Sequence, residues 1–123
     1  MKILALDFGS ARTGVAVSDP TGTIARPLAT IERVETDQGF GKLLDVIAAE
    51  APELILVGLP LTLRGEQGAQ AEETLTFIGR LRDAVDTPVE TFDERFTSVL
   101  ADGDDARAAA HLLSGYLAWR ERS

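Results

Sequence analysis

Apolar residues along this chain follow two rhythms. Ile3-Leu4-Ala5-Leu6 and Leu54-Ile55-Leu56-Val57 are unbroken runs, too short for buried helices and suited to strands covered on both faces. The second run continues as LILVGLP and ends at Gly58. After the first come VAVSD (15–19) and TIARPLATI (23–31), separated by the turn signal Asp19-Pro20-Thr21-Gly22, which predicts two further strands. The rhythm then changes. Phe40, Leu43, Leu44 and Ile47 recur at the i, i+3, i+4, i+7 spacing of a helix over 36–51, with Thr36 or Asp37 as its cap and Pro52 as its stop. Ala71, Leu75, Ile78, Leu81 and Val85 mark a second helix, Pro88 introduces the strand VETFD (89–93), and Ala106, Ala109, Ala110, Leu113 and Leu117 mark a last helix. Arg120 and Arg122 lie near the C-terminus of that helix, where the dipole favours cations.

The order βββαβαβα implies an antiparallel meander followed by helical crossovers into parallel strands. That is an α/β chain with a mixed five-stranded sheet flanked by helices, the order of the ribonuclease H-like fold. With 123 residues and no internal repeat or linker, one domain over 1–123 is expected.

Composition narrows the functions. The chain has no cysteine, which excludes disulfides, thiolate metal sites and cysteine nucleophiles. No apolar run reaches the roughly 18 residues of a membrane span and Met1 leads straight into the first strand, so a cytoplasmic protein without membrane contact is expected. Twelve Lys and Arg against twenty Asp and Glu leave a net charge of -8. Broad non-specific nucleic-acid binding is therefore disfavoured, and any such site must be local.

The acids carry the candidate chemistry. Asp7 ends an apolar strand and opens the loop DFGSARTG, whose glycines leave backbone room for a phosphate or metal. Burying an unpaired carboxylate costs several kcal/mol in order of magnitude, so a cation or donor is expected beside Asp7, although capping of the loop is the plainer alternative. Asp93 and Glu94 stand together in DERFTS, where Thr91 and Glu94 have capping-box spacing and Asp93 could cap a helix itself. Asp102, Asp104 and Asp105 crowd the start of the last helix, and Asp105 falls beside its apolar stripe. Metal-assisted phosphodiester hydrolysis needs three or four carboxylates on separate rigid elements, around two ions about 3.5–4 Å apart. Asp7, Glu94 or Asp93, and Asp105 meet that need.

The segments LDFGSARTGVAVSD, ARPLATI, ILVGLPL, DERFTS and DDARAAAHLLSGYL, in this order along nearly the whole chain, resemble the YqgF (RuvX) family, relatives of the RuvC resolvases. The resemblance implies a ribonuclease H-like fold and a Mg²⁺- or Mn²⁺-dependent nuclease acting in pre-16S ribosomal RNA maturation, with Holliday-junction resolution proposed for some members. Its acidic positions fall on Asp7, on Glu94 or Asp93, and on Asp105. Of the adjacent pair, Glu94 has the longer reach and is assigned as ligand, with Asp93 as its support. Two segments depart from the family pattern. TLRGEQG replaces an acid-containing turn, putting Arg64 there, and only VLADGDD separates Ser98 from Ala106 where a longer basic segment is usual.

Arg12, Arg64, Arg95 and Arg107 lie in or beside the segments expected to ring the site, and arginine can grip a phosphate with two hydrogen bonds. They are the candidate contacts to pre-rRNA or branched DNA. His111 is about 240° around the helix from Asp105 and is taken as structural, while Tyr116 and Trp119 are expected to complete packing or a homodimer surface. Two rival readings share these features. An ATP-binding unit of the actin and Hsp70 type would need a second lobe that this length does not allow. A non-catalytic RNA-binding module of ribosome assembly would keep the fold without turnover.

Overall fold

A computed structural model describes residues 1–9, 11–59, 69–93 and 105–122. The elements are β1 (Ile3–Asp7), β2 (Arg12–Ser18), β3 (Ala25–Glu32), α1 (Asp37–Glu50), β4 (Leu54–Leu59), α2 (Ala69–Ala84), β5 (Val89–Asp93) and α3 (Asp105–Glu121). They follow the expected order. The strands form one sheet in the order β3-β2-β1-β4-β5. β1 pairs antiparallel with β2 and parallel with β4, and β5 joins β4 in parallel. The two unbroken apolar runs thus become the adjacent central strands, buried on both faces.

Alternation along these strands separates two cores. Leu4, Leu6, Val15, Ile55, Val57 and Val89 pack on one face against Phe40, Leu43 and Ile47 of α1 and Phe77, Ile78 and Leu81 of α2. Ile3, Ala5, Ala16, Leu54 and Leu56 face the other way, against Ala109, Leu112, Leu113, Tyr116 and Leu117 of α3. Each large apolar side chain so enclosed stabilises the fold by roughly 1.5–3 kcal/mol before entropy is counted.

Helix ends follow local chemistry. The Thr36 hydroxyl accepts from the Gly39 N–H at 3.1 Å and so caps α1, settling the choice between Thr36 and Asp37. Ala51 turns left-handed at the other end, its N–H donating to the Ile47 carbonyl just before Pro52.

Two helical stripes differ from expectation. In α2, Leu75 is 38% exposed, and Phe77 is buried instead, stacked on Phe8 with ring centroids 4.7 Å apart. In α3, Ala106 and Ala110 are only half-buried, and the buried stripe is turned towards Ala108, Leu112 and Tyr116. Alanine marks a face weakly, so the larger residues decide which side of α3 meets the sheet. Thr91 lies within β5, level with Val57, so it does not begin a capping box.

Candidate active site

Leu6 is level with Val57, and Val57 with Thr91. The C-terminal ends of the three parallel strands therefore lie along one edge of the sheet. Asp7 stands at that edge. Its parity with Ile3 and Ala5 places it on the face covered by α3, and its register partner across the antiparallel ladder is Gly14. Cα atoms opposed in this way are about 4.5–5.5 Å apart.

Gly14 is where the helix arrives. A Cβ on Gly14 would overlap the backbone carbonyl of Asp105, the first residue of α3, and would come within 3.0 Å of the Ala106 nitrogen. The absence of a side chain thus lets the head of α3 rest directly on β2, beside Asp7. Asp105 also continues the observed buried stripe, being four residues before Ala109, seven before Leu112 and eleven before Tyr116. The turned stripe therefore aligns Asp105 with the sheet more directly than the expected one.

Arg12 completes the described cluster. As the first residue of β2 it shares the parity of Gly14 and Ala16, and its Nε lies 3.2 Å from Oδ2 of Asp105. The loop before it is tight. Thr13 is fully buried, its hydroxyl sits 3.4 Å from the Gly9 carbonyl, and a Cβ on Gly9 would overlap the Arg12 carbonyl.

The remaining sites fall elsewhere. Asp93 has the parity of Val89 and is level with Leu59, so it belongs to the α1 and α2 face, whereas Phe92 packs on the α3 side. Asp93 ends the edge strand, however, and also lines a groove beside Phe92, Tyr116 and Trp119 on the α3 side. Glu94, Arg64 and Arg95 lie outside the described residues. Arg107 is exposed and lines a shallow hollow with Pro27, Ala110, His111 and Ser114, on the β3 side of α3. His111 is exposed as well. Among the described residues no group of three or more acids, histidines or cysteines gathers into a metal-holding cluster.

The family model for RuvX, described as Holliday junction resolvase, matches residues 1–118. This chain belongs to the RuvX family. A relative from Chloroflexus aurantiacus is 45% identical over 100 residues, which cover 81% of this chain and 65% of that protein. One from Desulforamulus reducens is 36% identical over 132 aligned positions, covering 95% and 96%. Both are provisionally named pre-16S rRNA nuclease. The chain thus spans 65% of the Chloroflexus relative's length and nearly all of the Desulforamulus one's. Among solved structures, Thermus thermophilus RuvC in complex with a Holliday junction substrate superposes with a TM-score of 0.63 at 16% identity, over 98% of this chain and 96% of that one. The fowlpox virus resolvase bound to junction DNA gives 0.62 at 14%, over 98% and 99%. These likenesses bear out the expected fold, a ribonuclease H-like mixed sheet.

In this RuvX chain the far end of α3 carries an aromatic cluster. Phe92, Tyr116 and Trp119 have centroids 5.5 to 5.9 Å apart and border a groove of about 660 Å³ along β5. Burial first, and the neighbouring Glu90 carboxylate second, push the Tyr116 phenol up from its ordinary range. Tyr116 completes packing as expected, whereas Trp119 is 51% exposed. The glycines of DFGSARTG signal backbone room in the sequence, whereas the use of Gly14 as the seat of α3 and the burial of Thr13 emerge only from the structure.

Proposed function

We propose that this chain is a divalent-metal-dependent nuclease whose ligands are Asp7 and Asp105, with Glu94 of the DER segment as a third. The observation that carries the reading is the seating of Asp105 on the bare backbone of Gly14, directly across the ladder from Asp7. The donors fit the ion. Asp7 and Asp105 offer hard carboxylate oxygens, which suit Mg²⁺ or Mn²⁺, and the Arg12 guanidinium already stands as a cation against Asp105. Bound ions would supply an activated water and neutralise charge on the leaving oxygen.

The chain's own residues do the rest. Asp7, on a central strand, and Asp105, on a packed helix end, hold their oxygens on rigid supports. Arg12, at the rim, meets a substrate phosphate, and Asp93 serves as support at the end of β5. Arg64, Arg95 and Arg107 are further proposed contacts to nucleic acid.

The substrate proposed is the precursor of 16S ribosomal RNA, trimmed at its 5' end in the cytoplasm, in line with the relatives' names. The family model's description favours a second reading, resolution of branched DNA. A homodimer meeting at the exposed Trp119 is also proposed, and sedimentation tests it.

The deciding experiment assays precursor RNA and a four-way junction with and without Mg²⁺ or Mn²⁺, in wild type and Asp7→Asn. The variant is expected to lose metal-dependent cleavage and keep its melting temperature. Full activity would overturn the assignment, and an unfolded variant would make Asp7 structural. Nucleic-acid binding without cleavage in wild type would favour the non-catalytic module.

A further inference from the structure

We propose that Arg12 is an exchangeable counter-ion of the site, paired with Asp105 before a divalent cation binds and turned to the substrate phosphate afterwards. This rests on the reading of Asp7 and Asp105 as metal ligands. Asp7 and Asp105 bring like charges to one edge of a sheet, in a chain whose net charge is already -8. Arg12 offsets one of them. A dication approaching the same oxygens competes with the guanidinium for Asp105 Oδ2.

The two partners are not equally free to leave. Asp105 is pinned, because its carbonyl rests on Gly14 and α3 is anchored along its length by Ala109, Leu112 and Leu113. Among the described residues Arg12 is held at its backbone, next to the buried Thr13, and through its side chain by the pair with Asp105. Its side chain is 56% exposed against 29% for Asp105, and the contact is made through Nε, on one edge of the guanidinium. An ion pair this open to water is weak, so exchanging it for a metal costs little. The released side chain remains at the rim of the site, where a guanidinium can take two oxygens of one phosphate.

The device couples two ligands. Metal releases Arg12 for the substrate, and by linkage a bound phosphate that occupies Arg12 favours metal by the same factor. Arg12 thereby acts on the site through Asp105 before it touches substrate.

Titrating ¹⁵N-labelled protein with Mg²⁺ alone, while following the Arg12 Nε–Hε signal and the Asp7 amide, tests this. Both are expected to move with one midpoint. Arg12→Gln is expected to bind Mg²⁺ about two- to five-fold more tightly, the factor by which release of a weak exposed pair improves competition. Its melting curve serves as the folding control. An Arg12 signal that stays still while Asp7 shifts overturns the exchange and leaves the metal site standing, even if the variant binds more tightly through its altered charge. Weaker Mg²⁺ binding by Arg12→Gln would make Arg12 a positioning residue for Asp105 and also overturn it. If neither signal moves, the metal reading fails together with the exchange.

Discussion

Asp7 is a carboxylate at the end of a strand whose preceding residues Ile3 to Leu6 are completely buried. Asp7 itself is half-buried, and among the described residues the Arg12 cation pairs with Asp105 and not with Asp7, so the partner expected beside Asp7 stands against its neighbour. Gly14→Ala, at the seat of the Asp105 carbonyl, is expected to push the head of α3 off β2. The cost of such overpacking is about 1–3 kcal/mol, read as a lower denaturation midpoint. Mg²⁺ affinity should fall with it, because Asp105 moves away from Asp7. A variant with wild-type stability and wild-type Mg²⁺ binding would show that the contact is dispensable. Asp93 has the strand parity of Val89, and Glu94 lies outside the described residues, so experiment decides between the two adjacent acids. Glu94→Gln is expected to lose Mg²⁺ affinity and cleavage rate with little change in melting, and Asp93→Asn to lose chiefly stability. The reverse pattern, measured by metal titration and thermal melting, would hand the ligand role to Asp93.

Among the elements, the turn between β2 and β3 offers a pH-dependent test. The Asp19 carboxylate accepts from the backbone N–H groups of Ile24 at 2.9 Å and Thr23 at 2.7 Å, and from the Thr21 hydroxyl. These donors, with Ile24 the largest influence, hold it down at about 2. Depression of a carboxylate in the folded state adds stability above its unfolded value near 3.9 and loses it as the pH falls towards 2. Asp19→Ala should therefore melt below wild type at pH 7, with the gap closing between about pH 4 and pH 2. A gap that persists unchanged at pH 2 would assign the loss to turn geometry instead of charge. On the other face, Arg80 ties α2 to α1 through Asp37 at 2.9 Å and the Glu35 carbonyl at 3.0 Å, and lies 4.0 Å from the centre of the Phe40 ring. These contacts join α1 and α2 on the face of the sheet opposite α3.

The whole molecule carries an excess of eight negative charges, which limits how the proposed nuclease could bind nucleic acid. Of the four arginines proposed as substrate contacts, Arg12 stands in the described cluster and Arg107 on the β3 side of α3. Four such contacts would neutralise few phosphates at once. Affinity for single-stranded RNA should fall with salt at a logarithmic slope of only about -1 to -3, since each phosphate contact contributes roughly -0.7. Fluorescence anisotropy over a salt series measures the slope, and Arg12→Gln should make it shallower by about one contact. A steep slope, beyond about -5, would mean a wider basic surface than these residues provide. Among the described residues no helix is long and apolar enough to cross a membrane.

Local physics determined much of this protein from its sequence alone. Strand and helix order, the burial of β1 and β4, the turn at Asp19 and the start of α1 at Thr36 or Asp37 all follow from short-range patterns whose causes lie within a few residues. The place of Asp7 at the end of the first strand was also legible, because the apolar run stops there. Asp105 was legible as a residue near a stripe, but its alignment was not. Ala106 and Ala110 are too small to fix the face of α3, and Leu112 and Tyr116 settle it only when they meet Ile3, Ala5 and Phe92. The register of Asp93 with Leu59 likewise waits on the pairing of β5 with β4, which no short-range pattern specifies. Gly14 shows the limit most plainly. The loop glycines signal backbone room in the sequence, but that the carbonyl of Asp105, 91 positions later in the chain, takes the room at Gly14 is decided only by the tertiary structure.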